Sequence, residues 1–151
     1  MTRRKTRLSG VLAVSAVAAL AVAAFGFVFL VGNMFLSRAN AAATSGHWTT
    51  AAKDAKRAST WLPWSTDTQR QLGEAQLAQG NTKAAQASFH KAIRTDSSDW
   101  NLWLDLARAS AGKAQASALA EAAKLNPLSP EIKELRTELG QSGAIDIGAG
   151  G

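Results

Sequence analysis

Thr66 to Asp99 reads TDTQRQLGEAQLAQGNTKAAQASFHKAIRTDSSD, with small and apolar residues at helical spacing on both sides of one glycine, Gly80. Leu72, Gly73 and Gln76 form one stripe before it. Ala85, Phe89 and Ala92 form another after it, so the stretch is two helices packed through small side chains. Working outward, the same pattern returns at an offset of 34 residues in both directions. Gly46, Ala51, Ala55, Ala58 and Pro63 align with Gly80, Ala85, Phe89, Ala92 and Ser97. Leu106, Ala107 and Ser110 repeat Leu72, Gly73 and Gln76. A fixed period of this length predicts stacked helical hairpins, each burying the apolar face of its neighbour.

The central unit resembles a tetratricopeptide repeat, with Leu72–Gly73, Gly80, Ala85, Phe89 and Ala92 at the signature places. Gln76 stands where an aromatic is usual, and Ser97 where a proline is usual. The third unit opens with Trp103, Leu106 and Ala107 but reaches Ala122 and Pro127 four residues early, which predicts a shortened turn around Gly112. In the first unit a second helix is expected from Trp48 to about Ser59. Its partner would be Phe35 to Thr44, running straight on from the hydrophobic block upstream. Downstream, Ser129-Pro130-Glu131 reads as an N-cap, a first-turn proline and a dipole-compatible acid, opening a closing helix that ends near Gly140. The fold class expected is all-α: one transmembrane helix, a short tetratricopeptide-like antiparallel hairpin array of about two and a half to three repeats, and a C-terminal capping helix.

Between Arg7 and Arg38 the chain carries no charge, and its apolar part from Val11 to Leu36 exceeds the ~20 residues that cross a ~30 Å hydrocarbon core. The division expected is a basic cytoplasmic tail at 1–9, a membrane helix at 10–36, the repeat domain at 37–140 and a disordered tail at 141–151. Arg3, Arg4, Lys5 and Arg7 precede the block, so the positive-inside bias places the N-terminus in the cytoplasm and the repeats outside the cytoplasmic membrane. A cleaved signal peptide is the competing reading, because Ala39-Asn40-Ala41 forms an A-x-A pattern. The length of the block argues against it, since h-regions run about 7–15 residues.

The formal charge is +6. Four of those charges are the N-terminal cluster, leaving 6 − 4 = +2 for the rest, so no basic face is expected for nucleic acid. With no cysteine in the chain, thiolate metal sites and cysteine nucleophiles are excluded. His47 and His90 are far apart in sequence and lack metal-ligand spacing, and no glycine-rich phosphate loop opens a helix. The carboxylates, Asp54, Glu74 and Asp105 among them, are expected as solvated or capping groups. Hence no enzyme, no cofactor and no metal are expected.

WLPWS at Trp61–Ser65, DWNLWLDLA at Asp99–Ala107 and LNPLSPE at Leu125–Glu131 resemble the C-terminal repeat regions of actinobacterial O-antigen ligase or polymerase family proteins. That resemblance implies an accessory or detached tail near glycan-assembly machinery, without glycosyl transfer, because the polymerase body is missing. A secreted carbohydrate-binding module released after Ala41 is a further alternative, with Trp61 and Trp64 as the tryptophans least explained by packing. The leading expectation is a membrane-anchored scaffold that binds protein partners. The tetratricopeptide resemblance points to the face of the first helices, where Arg70, Glu74 and Leu77 share one side and Asn101, Leu104 and Arg108 occupy the next unit.

Overall fold

The computed structural model describes residues 3–141, with side-chain environments for 15–140; the expected disordered tail beyond Gln141 and the basic side chains near the N-terminus lie outside them. Among the described residues there are seven helices: α1 (Arg3–Thr44), α2 (Trp48–Trp61), α3 (Thr66–Ala78), α4 (Thr82–Thr95), α5 (Trp100–Arg108), α6 (Gly112–Leu125) and α7 (Pro130–Gln141). The end of α1 pairs with α2, α3 with α4, and α5 with α6, in three successive antiparallel hairpins. The last helix, α7, packs on α6 and buries Ile132 and Leu135.

The first two hairpins turn at Gly46 and Gly80, whose φ angles of 73° and 76° lie in the left-handed region that glycine enters without a Cβ clash. In the third hairpin the connection keeps three residues between its helices, as between α3 and α4, while α5 has 9 residues against 13 in α3. The four missing residues are therefore one turn of helix, and the expectation of a shortened turn around Gly112 is corrected accordingly. Ser110 and Ala111 cannot be told from loop or helix by periodicity alone, which is why the sequence misplaced the deletion.

Packing between the two helices of a hairpin runs through one matched position. Phe89 is fully buried against Gly73, where a Cβ would lie 2.6 Å from the ring. At the same place the first hairpin sets Ala39 against Ala55, and in the third Ala107 and Leu119 are both buried in the main core. Ser88 on α4 donates to Gln76 Oε1 at 2.8 Å, so the glutamine that replaces the usual aromatic is paired rather than stranded. At α7, Ser129 Oγ accepts from the Ile132 amide at 3.3 Å and donates to Glu131, as the N-cap reading requires.

Helix α1 is continuous for 42 residues. From Ser15 to Phe27 every described side chain is exposed; from Val28 to Ala43 buried and half-buried positions alternate with exposed ones as the helix meets α2 and α3. Repeat packing thus begins at Gly32, where Leu62 fills the space a Cβ would take, well before the change in composition at 36. Among the described residues, Ser15–Thr44 is long and apolar enough to cross a membrane, with mean hydropathy 2.3.

The Gly73–Phe89 contact yields a test. Gly73→Ala should destabilise the full chain by about 1–3 kcal/mol through overpacking, and adding Phe89→Leu should recover part of that loss. Urea unfolding in detergent followed by helical circular dichroism measures both; additive losses would mean that the two residues do not share a site.

Candidate functional site

The face formed by the first helix of each hairpin carries a concentrated set of charges. Arg70 on α3 donates from Nε to Asp105 Oδ2 on α5 at 2.8 Å and lies 3.0 Å from Glu74 Oε1, one helical turn along. Arg108 Nη1 reaches the other Asp105 oxygen at 3.5 Å. Arg70 and Asp105 are one repeat plus one residue apart, so the 34-residue period puts them side by side on neighbouring helices. That spacing was the signal available for Asp105, and the expectation of a solvated acid is corrected: it is a buried carboxylate shared by two arginines. Asp54 needs the same correction, being buried between Arg38 of α1 at 3.4 Å and Arg57 at 3.3 Å.

Next to the Arg70 network a cavity of about 160 Å³ opens between α1 and α3, lined by Leu36, Asn40, Asp67, Arg70, Gln71 and Glu74. Of the six residues expected on this face, Arg70, Glu74 and Arg108 converge around Asp105. Leu104 is buried in the core, Leu77 packs against that core, and the Asn101 side chain donates to Asp99 Oδ1 at 2.9 Å beside the N-cap. The face is therefore more charged and less apolar than the sequence spacing suggested. Gln71 and Asn40 supply neutral hydrogen-bonding groups to it from α3 and α1.

Burial works against the Arg70 charge, but Asp105 and then Glu74 outweigh it and push the guanidinium pKa up. Burial pushes Asp105 up, and Arg70 and Arg108 offset only part of that. Glu74 is raised by burial and by the Asp105 charge. The partners answer their shared bond in opposite senses because Arg70 keeps 34% of its side chain in water and Asp105 only 8%; desolvation of the carboxylate decides the balance. A charged carboxylate from a peptide would relieve this face by engaging Arg70 or Arg108, whereas a basic group would engage Glu74.

A second concavity of about 440 Å³ lies on the other side, with His90, Trp103, Leu106, Ser117 and Glu121 among its lining. Trp103 Nε1 donates to the Ser97 carbonyl at 2.9 Å, so this indole is committed to the fold. Among the described residues no three His, Cys, Asp or Glu side chains gather to hold a metal ion.

No protein-family model and no curated protein matches the chain. Solved structures do. The chain superposes on the Arabidopsis OM64 TPR domain with TM-score 0.67 at 18% identity, covering 73% of this chain and 94% of that one. The fold is a tetratricopeptide array. The first TPR of Spaghetti (RPAP3), solved bound to the HSP90 peptide SRMEEVD, gives TM-score 0.71 at 12% identity, covering 77% and 95%. The Yersinia enterocolitica type III secretion chaperone SycD, solved with a peptide of the translocator YopD, gives 0.57 at 22% identity, covering 72% and 86%. At these identities the likeness concerns the fold of the tetratricopeptide array alone.

Proton linkage gives this network a measurable signature. Glu74 and Asp105 bind protons more readily in the folded chain than in the unfolded one, so their contribution falls as pH rises through the window above the ordinary carboxylate range. Asp96 and Glu131, exposed and lowered by bonds from Ser98 and Ser129, contribute stability that is lost as pH falls below about 4. Unfolding free energy of the full chain in detergent should therefore rise as pH is lowered from 7 and then drop below about 4, and Asp105→Asn should flatten the rise. A steady fall from pH 7 would contradict this assignment.

Proposed function

We propose that this chain is a membrane-tethered protein-recognition module: α1 anchors it, and the face of α1, α3 and α5 captures a peptide segment of mixed charge from a protein partner outside the cytoplasm. The observation that carries the reading is the Arg70–Glu74–Asp105–Arg108 cluster beside an open cavity, where charges of both signs stand within reach of one bound segment. That two tetratricopeptide structures of similar fold were solved with peptides supports a peptide as the kind of ligand.

The uncleaved anchor is supported by Ala39, which is fully buried against Ala55 and Leu72. Cleavage after Ala41 would remove the first helix of the first hairpin and leave the apolar surfaces of α2 and α3 uncovered. Orientation follows from the basic residues before the span, with the repeats on the outer side. The resemblance of three sequence runs to O-antigen ligase tails names one class of partner, the machinery of envelope glycan assembly.

Affinity capture from mild-detergent membranes tests both levels. Arg70→Gln with Asp105→Asn, which removes the cation together with its buried carboxylate partner, should sharply reduce partner retention while leaving the helical circular dichroism unchanged. A photo-crosslinking group at Gln71 should trap the same partner, and one at exposed Arg94 on α4 should not. Retention by the double variant together with crosslinking only from Arg94 would move binding away from this face. Glycan-assembly proteins in the retained set would place the chain as their accessory subunit; an unrelated membrane complex would make it a general scaffold.

A further inference from the structure

The corner between α2 and α3 is WLPWS, Trp61 to Ser65, and the corresponding corner one hairpin later is TDSSD, Thr95 to Asp99. Both make the same connection. Repeat geometry therefore does not require tryptophan at either place, since Thr95 and Ser98 stand where Trp61 and Trp64 do. Nor are the two indoles buried by the array: Trp61 is 36% exposed and Trp64 51%.

What they touch is the helix that leads out of the hairpin toward the N-terminus. Trp64 stacks on Phe25 with ring centroids 6.2 Å apart, and Trp61 meets Phe27 edge-on at 6.3 Å. Phe25 and Phe27 are themselves 63% and 60% exposed, so the four rings form one continuous aromatic patch open to its surroundings. Between the indoles, Leu62 is buried in the notch at Gly32, where a Cβ would lie 2.3 Å from its side chain. This contact fixes the corner to α1, and with it the depth at which the two tryptophans sit.

That depth can be counted. Starting after Arg7, the last charge before the apolar block, about 20 residues at about 1.5 Å each are needed to cross the hydrocarbon core. The count ends at Phe27. The apolar run continues to Leu36 because from Val28 one side of the helix packs in the first hairpin, while Phe29, Leu30 and Met34 stay exposed on the other. Phe25 and Phe27, and the indoles against them, therefore lie where hydrocarbon gives way to headgroups. Trp is favoured at that boundary, its ring buried in the acyl edge and its N–H among polar groups. The corner from Trp61 to Thr66 has no charged side chain to desolvate.

We propose that the Trp61–Trp64 corner is a membrane foot, a lipid-binding surface that rests in the headgroup region of the outer leaflet and holds the repeat array at a set tilt against the bilayer. The inference rests on the reading of α1 as a membrane anchor. Its occupant is the lipid interface, because the patch is continuous with the helix that would emerge from that interface.

The absence of cysteine makes any introduced thiol unique. Single cysteines at Val22, Ser65 and Glu138, in otherwise intact full-length chain, are labelled with an environment-sensitive fluorophore and reconstituted in phosphatidylcholine–phosphatidylglycerol vesicles. A lipid carrying a headgroup-level quencher should quench the Ser65 label several-fold more strongly than the Glu138 label, and the Val22 label should respond to a deep acyl-chain quencher. Trp61→Ser with Trp64→Ser should lower the Ser65 quenching measurably, because the array is then no longer held at one tilt, with helical circular dichroism unchanged since Leu62 remains in its notch. Deep quenching at Val22 with Ser65 no more quenched than Glu138 would overturn the foot and leave the anchor standing. A Val22 label open to an aqueous quencher would overturn the anchor, and the foot with it. Unaltered Ser65 quenching in the double variant would overturn the role of the two tryptophans.

Discussion

A fully buried Phe89 ring lies where Gly73 has no side chain, and the spacing of the whole array depends on that contact. It sets how closely α3 and α4 approach. In the first hairpin the matching positions are both alanine, Ala39 and Ala55, so those helices meet through smaller groups. Because protein interiors are close-packed, a Cβ added at Gly73 would have to displace the ring. Once the hairpin spacing is set, the first helices present their outer residues on one face, and the charged groups of that face fall into register.

Two buried aspartates join neighbouring helices. Asp54 ties α2 to α1 through Arg38, and Asp105 ties α5 to α3 through Arg70. Neither pair is strong evidence for stability, since a carboxylate loses its hydration on entering the fold. Their effect is on geometry: a charge that must be paired fixes which neighbour stands opposite. At the Asp105 site this brings two cations and two anions together on the face next to the cavity, and the raised pKa of Asp105 records how incompletely the arginines replace its water.

Helix α1 has two surroundings along one uninterrupted run. From Ser15 to Phe27 its side chains are exposed, and from Val28 one side of it enters the first hairpin while Phe29, Leu30 and Met34 stay exposed; nothing in the composition marks the change. Hydropathy treats both stretches alike because a residue facing lipid and one facing a repeat core are equally apolar. The aromatic contacts at Phe25 and Phe27 and the Leu62–Gly32 notch mark it instead, and they come from the corner between α2 and α3, far downstream in the chain.

The 34-residue period, read from Gly80, Ala85, Phe89, Ala92 and their counterparts, determined by itself that the chain is a stack of helical hairpins, and the Ser129-Pro130-Glu131 start signal marked the closing helix. It also located Arg70, Glu74 and Arg108, since helical spacing is a local property carried by side-chain type. Tertiary structure alone decided that Leu104 turns inward and that Asp105 is buried between arginines. It also showed that the third hairpin lost a turn of α5 rather than part of its loop. The reason is that burial and pairing depend on which residue of the neighbouring helix stands opposite, and that depends on interhelical spacing. Periodicity names the stripe of a helix; only packing decides how deep each member of the stripe lies.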